Sequence, residues 1–268
     1  MTVPQDALDD VERITPVATY RLQLRPGFGF DHAAALCDYL AELGVSHAYF
    51  SPYLQAAPGS THGYDVIDYS RVNDELGGAD AHERLCGFLA EHGLGQVIDV
   101  VPNHMSITSR DNTWWWDVLE NGQASPYAPY FDVDWKAPNE LQRNKVLMPI
   151  LGDHYGRVLE AGEIQVAREG ANFFVRIHER LLPVSPTSLE RVLSRAGSLC
   201  GSDDLSFLAE ALRGLGTALN TDRESRLQRH RHKQVIAKLL MRLLHEEPRV
   251  AHAVDRALGE MNADEVGS

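Results

Sequence analysis

Residues 96 to 104 read Gln-Val-Ile-Asp-Val-Val-Pro-Asn-His, directly after Gly93-Leu94-Gly95. A short apolar run rich in β-branched side chains, opened by glycines, predicts a strand over Gln96–Val101. It reads as buried on both faces, as in a parallel sheet. Pro102 has no N–H to give and stops the ladder. Asp99, Asn103 and His104 then stand at or just beyond the strand's C-terminal end, where parallel α/β folds bind their ligands. A carboxylate inside such a strand is costly to bury without a partner. Asp99 therefore serves either a structural ion pair or a site. His104 taken alone reads equally well as a hydrogen-bonded loop histidine. Two such groups at the end of one strand favour the site.

The chain before this strand alternates strand and helix. Ala18–Leu24 alternates in a strand-like way, Pro26–Gly29 turns, and Asp31 is placed to cap a helix running to about Leu43. That helix would present Ala35, Leu36, Tyr39, Leu40 and Leu43 on one face, and Gly44 would end it. His47–Ser51 is a second strand closed by Pro52. A long loop over 53–78 follows, then a helix of about Ala79–His92 carrying Leu85, Phe88 and Leu89. The order β-α-β-α-β predicts right-handed parallel crossovers.

After His104 the rhythm breaks. Residues 105–138 read as loop-rich, with Trp114, Trp115, Trp116, Tyr127, Tyr130, Phe131 and Trp135 among them. Asn139 is placed to cap a short helix, with Gln142 three residues on. Residues 158–183 read as a small antiparallel set, Glu163–Arg168 and Asn172–His178 about a turn at Glu169-Gly170. From Thr187 the texture is helical, with capping-box spacing at Thr187/Glu190 and Thr221/Glu224. Leu205, Leu208, Leu212, Leu215 and Leu219 form one apolar stripe; Ile236, Leu239, Leu240, Leu243 and Leu244 form another. Stripes of this kind are packing faces. Residues 248–261 make a further amphipathic helix.

Only three strands of the parallel type are spent by residue 101, and an eight-stranded barrel takes about 250 residues without insertions. The expected fold is α/β: the first three βα units of a TIM-type (β/α)8 barrel, incomplete, with an inserted small α+β subdomain and a helical insertion. The expected divisions are a lead-in over 1–16, barrel over 17–104, subdomain over 105–186, helices over 187–262 and a tail over 263–268. The net charge of −13 disfavours a nucleic-acid partner. No apolar run approaches membrane-spanning length, and the polar N-terminus carries no signal-peptide pattern, so no membrane is expected. The 3 cysteines are Cys37, Cys86 and Cys200, without disulfide or metal-ligand spacing. A reducing cytoplasm is the default expectation.

Four stretches carry a resemblance. They are Thr19–Leu24 (TYRLQL); Tyr49–Leu54 (YFSPYL) leading into Pro58–Asp65 (PGSTHGYD); Glu75–Gly78 (ELGG); and Val101–Met105 (VPNHM) followed by the tryptophan triplet. Asp99–His104 resembles the first signature region of the α-amylase superfamily. His62–Asp65 with Asp68-Tyr69 resembles its loop after strand two. The four-part pattern is similar to the maltooligosyl trehalose synthase family, over about residues 15–262.

The resemblance implies an intramolecular transglycosylation. The reducing-end α-1,4 link of a maltooligosaccharide is cut, and the terminal glucose is rejoined through an α,α-1,1 bond, a step of trehalose synthesis. The chemistry is of the retaining type, with a carboxylate nucleophile and a carboxylic acid flanking the scissile bond. The superfamily carries its nucleophile in an Arg-x-Asp string after strand four, and a Glu and a further Asp beyond it. No Arg-x-Asp string occurs in these residues. The chain is therefore expected to be the N-terminal part of a longer enzyme and inactive by itself.

By motif position the resemblance implies that Tyr64 stacks on a glucose ring and that His104 donates to a hydroxyl of the same sugar. Asp99 would orient the arginine of strand four, and without that arginine would be a carboxylate lacking its partner. Asn103 would organise its loop; a calcium role is not expected, because no Asp-rich cage is visible. His62 and Asp65 are site-wall candidates, with ordinary loop roles as the alternative. Tyr64 has the alternative of a packed loop tyrosine. Trp114–Trp116 either line the substrate or seal the site, with at least one of the three in a core. His230-x-His232, with Arg229, Arg231 and Lys233, reads as a solvated basic face. Glu160, Glu163 and Glu169 are not read as a catalytic pair. No cofactor is implied; the expected partner is a maltooligosaccharide or α-1,4-glucan. Two other readings remain open: another glucan hydrolase or transferase of the superfamily, and a non-catalytic glucan-binding module.

Overall fold

The computed structural model describes residues 15–215 and 222–264. They divide into two compact units between Asn112 and Thr113.

In the first unit, β1 (Thr19–Leu22), β2 (His47–Phe50) and a later strand, Gly95–Ile98, lie side by side in a parallel sheet with β2 in the middle. The register sets Arg21, Tyr49 and Val97 in one row and Leu22, Phe50 and Ile98 in the next. Two helical segments, α1 (Phe30–Ala34) and α2 (Cys37–Leu43), connect β1 to β2. The single expected helix is thus broken at Ala35 and Leu36. Its buried stripe is Phe30, Ala33, Ala34, Cys37 and Leu40, whereas Tyr39 and Leu43 are exposed. Gly44 closes α2 with a φ of 80°, in the left-handed region that glycine enters without steric cost.

The expected loop over 53–78 holds an antiparallel hairpin, β3 (Leu54–Ala56) with β4 (Val66–Val72), and a 3-10 turn at Asp74–Leu76. After α3 (Gly78–Glu91) comes β5, the strand at Gly95–Ile98. Leu22, Phe50, Leu40, Phe30, Leu85 and Leu89 build one core between sheet and helices. Because side chains alternate along a strand, the row Arg21–Tyr49–Val97 lies on the opposite face of the sheet.

Burial of β5 on both faces does not hold. Ile98 is 43% and Val100 55% exposed. β5 pairs with β2 alone, so among the described residues it is an edge strand. It is also shorter than Gln96–Val101. Its last bond to β2 runs from the Asp99 N–H to Phe50 O at 3.0 Å, and the chain of β2 then turns away at Pro52.

The second unit begins with a helix, α4 (Thr113–Asn121), in a stretch expected to be loop-rich, followed by short 3-10 turns. Asn139 caps no helix; its side chain accepts from Leu141 N at 3.0 Å within a turn. After α5 (Tyr155–Glu160), the antiparallel set appears as three strands: β6 (Ile164–Glu169), β7 (Asn172–Ile177) and β8 (Arg180–Pro183). Four helices complete the unit: α6 (Pro186–Cys200), α7 (Asp203–Arg213), α8 (Arg223–Glu246) and α9 (Pro248–Asp264).

The caps differ from the sequence reading by a residue or two. Ser185 caps α6 by accepting from Ser188 N, with Pro186 at the first helical position, so Thr187 lies inside the helix. Asp222 caps α8 by accepting from Ser225 N; Thr221 and Leu219 lie outside the described residues. The sheet and the helices share one core, in which Phe173 and Val184 meet Val192, Leu193, Leu205, Leu240 and Val254. Leu239, expected in the apolar stripe of α8, is 45% exposed. No helix among the described residues is long and apolar enough to cross a membrane.

Candidate functional site

At the C-terminal ends of the parallel strands, side chains from distant parts of the sequence form a connected cluster. The Tyr64 hydroxyl donates to Asp99 Oδ2 at 2.7 Å and accepts from Arg21 Nη2 at 3.1 Å. Arg21 Nη1 lies 3.5 Å from the same Asp99 oxygen. The guanidinium also sits over the Tyr49 ring, 4.8 Å from its centre, as expected for neighbours in one row of the sheet. These contacts, led by the hydrogen bond to Tyr64, raise the pKa of Arg21 above its ordinary value. Gln23 accepts from Arg21 Nη2 and donates to the backbone of His62, both at 3.4 Å.

Asp99 is therefore not a carboxylate without a partner. The arginine comes from β1 of this chain, and the Asp99 side chain keeps 21% exposure. The sequence reading missed Arg21 because it looked for the partner in a later strand. The signal was present: an arginine near the end of the first strand, on the face shared with the second strand's tyrosine.

The loop carrying Tyr64 is fixed from several sides. Both oxygens of Glu75 accept from Gly59 N, at 3.1 and 3.0 Å. Gly63 holds a φ of 78°, and a Cβ there would meet Pro52 O at 2.1 Å. This position needs glycine both for its backbone angle and for the close approach of the chain. The Asp65 carboxylate accepts from the Ser60 hydroxyl, which in turn accepts from Gly63 N at 3.1 Å. Asp65 thus fastens its own loop. The Tyr64 N–H donates to His62 Nδ1 at 3.1 Å, and the two rings stack with centres 6.0 Å apart. His62 covers part of the Tyr64 ring and, at 3.8 Å from Asp65 Oδ1, belongs to the same loop.

The segment after β5 is held through its backbone. The Tyr69 hydroxyl lies 2.6 Å from Val101 O and 2.7 Å from His104 O. Burial raises the Tyr69 phenol pKa, keeping it a donor. Asn103 and His104 are exposed. The His104 side chain makes no hydrogen bond or ring contact with Tyr64 or Asp99, so the structure joins Tyr64 directly to Asp99 and places His104 by its main chain only. Among the described residues no group of three His, Cys, Asp or Glu side chains is arranged to hold a metal ion.

The tryptophan triplet belongs to the second unit. Trp115 is core, against Val118 and Phe131. Trp114 stacks on Tyr127 with centres 5.2 Å apart and planes at 11°, and meets Tyr130 on a tilt.

The solvated basic face expected on α8 is half wrong. Arg231 and His232 are exposed, but Arg229 is buried and Lys233 faces inward. Lys233 Nζ lies 2.6 Å from Asp117 Oδ1 and 2.7 Å from Glu120 Oε2, both on α4. Asp117 also accepts from the Ser125 hydroxyl at 2.6 Å. Burial pushes the Glu120 carboxyl up; it lowers Lys233, but the two carboxylates outweigh it and raise Lys233 overall. Burial lowers Arg229. The signal was the helical spacing of Arg229, Lys233, Ile236 and Leu240, which sets all four on the stripe that builds the core.

Residues 34–158 match the α-amylase catalytic domain. Within that class the chain is similar to maltooligosyl trehalose synthases. A Mycobacterium tuberculosis protein of that name is 42% identical over 178 residues, covering 64% of this chain and 22% of the relative. A crystal structure of a maltooligosyl trehalose synthase aligns at 42% identity with a TM-score of 0.57, over 63% of this chain and 22% of that one. The Arthrobacter ramosus maltooligosyltrehalose synthase aligns at 38% identity with a TM-score of 0.55, over 63% and 21%. The resemblance drawn from the four stretches is borne out. The chain spans about a fifth of the length of these relatives.

Proposed function

We propose that this chain is the N-terminal part of an intramolecular transglycosylase that turns maltooligosaccharides into maltooligosyl trehalose. On this reading β1, β2 and β5 with their helices open a (β/α)8 barrel, and the strand-end cluster is one wall of the pocket for the glucose at the cleavage point. Tyr64 offers the sugar its ring. Asp99 holds the tyrosine hydroxyl and orients the groups beside it. His104 donates to a sugar hydroxyl, while Asn103, His62 and Asp65 shape the surrounding loops. The nucleophile and the acid that a retaining mechanism needs come from outside these 268 residues, so the chain alone turns over nothing.

The observation that carries this reading is the hydroxyl of Tyr64 donating to Asp99 at 2.7 Å, which joins the two motif residues at the strand ends. One stacking aromatic contributes only about 0.5–1.5 kcal/mol, so binding at this single wall should be no tighter than about millimolar, the level that ~4 kcal/mol supports. The test is twofold. Incubation with maltopentaose should yield neither transfer nor hydrolysis products; product formation above a no-protein blank would sink the claim of inactivity. Maltopentaose at millimolar concentration should shift the resonances of Tyr64 and His104. Calorimetric binding in the micromolar range would instead favour an independent glucan-binding module, and no resonance shift at all would remove the sugar wall.

A further inference from the structure

We propose that Arg21 is the positioning residue of this site: its two terminal nitrogens clamp the Tyr64 hydroxyl and the Asp99 carboxylate, and so set the plane of the tyrosine ring against which a glucose would stack. The inference rests on the reading of the strand ends as a glucan wall, and it assigns the orienting role to a residue of the first strand to which the sequence reading gave no role.

The geometry has three parts. First, Arg21 meets both other members of the cluster through separate nitrogens, Nη2 at 3.1 Å to Tyr64 Oη and Nη1 at 3.5 Å to Asp99 Oδ2. The hydrogen bonds run in one direction: guanidinium to phenol, and phenol to carboxylate at 2.7 Å. The phenol thus spends its proton on Asp99 and a lone pair on Arg21, which leaves its ring and not its hydroxyl as the part offered to a ligand. Second, Arg21 is itself immobilised from behind. Its guanidinium lies over the Tyr49 ring and meets Gln23 Oε1, so the fork does not swing freely. Third, the Tyr64 ring is only partly covered, by His62 on its own loop. Tyr64 sits on a loop and Asp99 at a strand end. Without the fork only one hydrogen bond joins them, and one bond fixes a distance but not a ring plane.

A planar fork is what the role requires. Lysine would keep the charge opposite Asp99 but could not engage both oxygens at the arginine's geometry. Arg21 is 40% exposed at its side chain and lies outside the core, so its substitution should leave the fold intact. The positioning effect can therefore be separated from a stability effect.

The test uses the full chain labelled with 3-fluorotyrosine, with Tyr64→Phe assigning the Tyr64 fluorine signal. In the sugar-free chain, Arg21→Gln should shift and broaden that signal while the thermal midpoint moves little; Arg21→Lys should restore it in part. On titration with maltopentaose, Arg21→Gln should need about tenfold more sugar than the unmodified chain for the same response, the size of one lost stacking contact, with Arg21→Lys between. A Tyr64 signal unchanged by Arg21→Gln overturns the proposal and leaves the glucan reading standing. The expected sugar-free shift with no response of the unmodified chain to maltopentaose overturns both, because Arg21 then fastens a loop and positions nothing. Equal sugar response in Arg21→Gln and the unmodified chain overturns the proposal alone.

Discussion

Lys233→Met should be among the most damaging single substitutions in the second unit. The lysine is the cation shared by Asp117 and Glu120, at 2.6 and 2.7 Å, and the three side chains are 17%, 7% and 22% exposed. Removing one member of a buried ion pair leaves an uncompensated charge and costs about 3–5 kcal/mol. Here two carboxylates would be left together, with only the charge of the buried Arg229 acting on both and His230 Nδ1 at 3.6 Å from Asp117 Oδ1. Asp117 would keep the Ser125 hydroxyl and Asn121 Nδ2; Glu120 would lose its short contact to a cation. At about 2–4 °C per kcal/mol for a chain of this size, the midpoint should fall by roughly 6–20 °C. The deficit should also depend on pH. Glu120 is already raised above its ordinary 4.5 by burial, and losing Lys233 raises it further. A carboxyl raised in the folded state disfavours folding increasingly as pH climbs from the unfolded value through the folded one. The deficit should therefore be small near pH 4.5 and full near pH 7. Urea unfolding followed by tryptophan fluorescence reads both, since Trp114–Trp116 share α4 with the carboxylates. Combining Lys233→Met with Asp117→Asn and Glu120→Gln should recover most of the loss. A cost below about 1 kcal/mol, the range of solvated surface pairs, or a cost independent of pH, would refute the argument.

Two further outcomes test the first unit. The Tyr53 phenol, 5% exposed, is pushed by burial up to about 12 from 10. The folded state then holds its proton where the unfolded state has lost it, so stability should fall between pH 10 and 12 by up to about 3 kcal/mol at ~1.4 kcal/mol per pH unit; Tyr53→Phe should flatten that part of the curve, and parallel curves would refute the assignment. Gly63→Ala should cost at least about 1–2 kcal/mol from the left-handed backbone alone, and more from the collision with Pro52 O at 2.1 Å; a thermal midpoint within a degree of the unmodified chain would mean that the Tyr64 loop is not pinned there.

The parallel β-α-β-α-β order was legible because glycine stops, proline stops and apolar runs agree at each boundary. The antiparallel hairpin was not. Leu54–Ala56 is three residues long and its pairing with β4 is irregular in register, so no alternation extends far enough to be read. The break between α1 and α2 was hidden because Ala35 and Leu36 are good helix formers, and the tertiary stripe over Phe30–Leu40 ran at an angle to the one chosen. Caps were misplaced because several serines, threonines and aspartates stood within two residues of each helix start, and only the donor geometry selects Ser185 and Asp222. The inward turn of Lys233 went unread for a different reason. A cation on an apolar stripe looks like an interruption of the stripe until its acidic partners, more than a hundred residues earlier in the sequence, are placed opposite it.

β5 presents the sharpest conflict between local and tertiary signals. Val97, Ile98, Val100 and Val101 have the composition of a strand with neighbours on both sides, yet among the described residues β5 has one neighbour, and Ile98 and Val100 stand exposed. An exposed apolar edge is a liability that proteins blunt with charge, proline or cover. Pro102 and Asp99 flank this one, but neither shields Ile98. The opposite edge, β1, is different in kind: Tyr20 and Arg21 are exposed there, and Arg21 is committed to the Tyr64–Asp99 cluster. A sequence whose local choices otherwise match its fold gives such a mismatch meaning, because apolar side chains at an edge are most stable when another strand covers them. A further strand beside β5 would bury Ile98 and bring new side chains to the end of the sheet where Asp99 stands. Under the proposed function such a strand would be the next of the barrel.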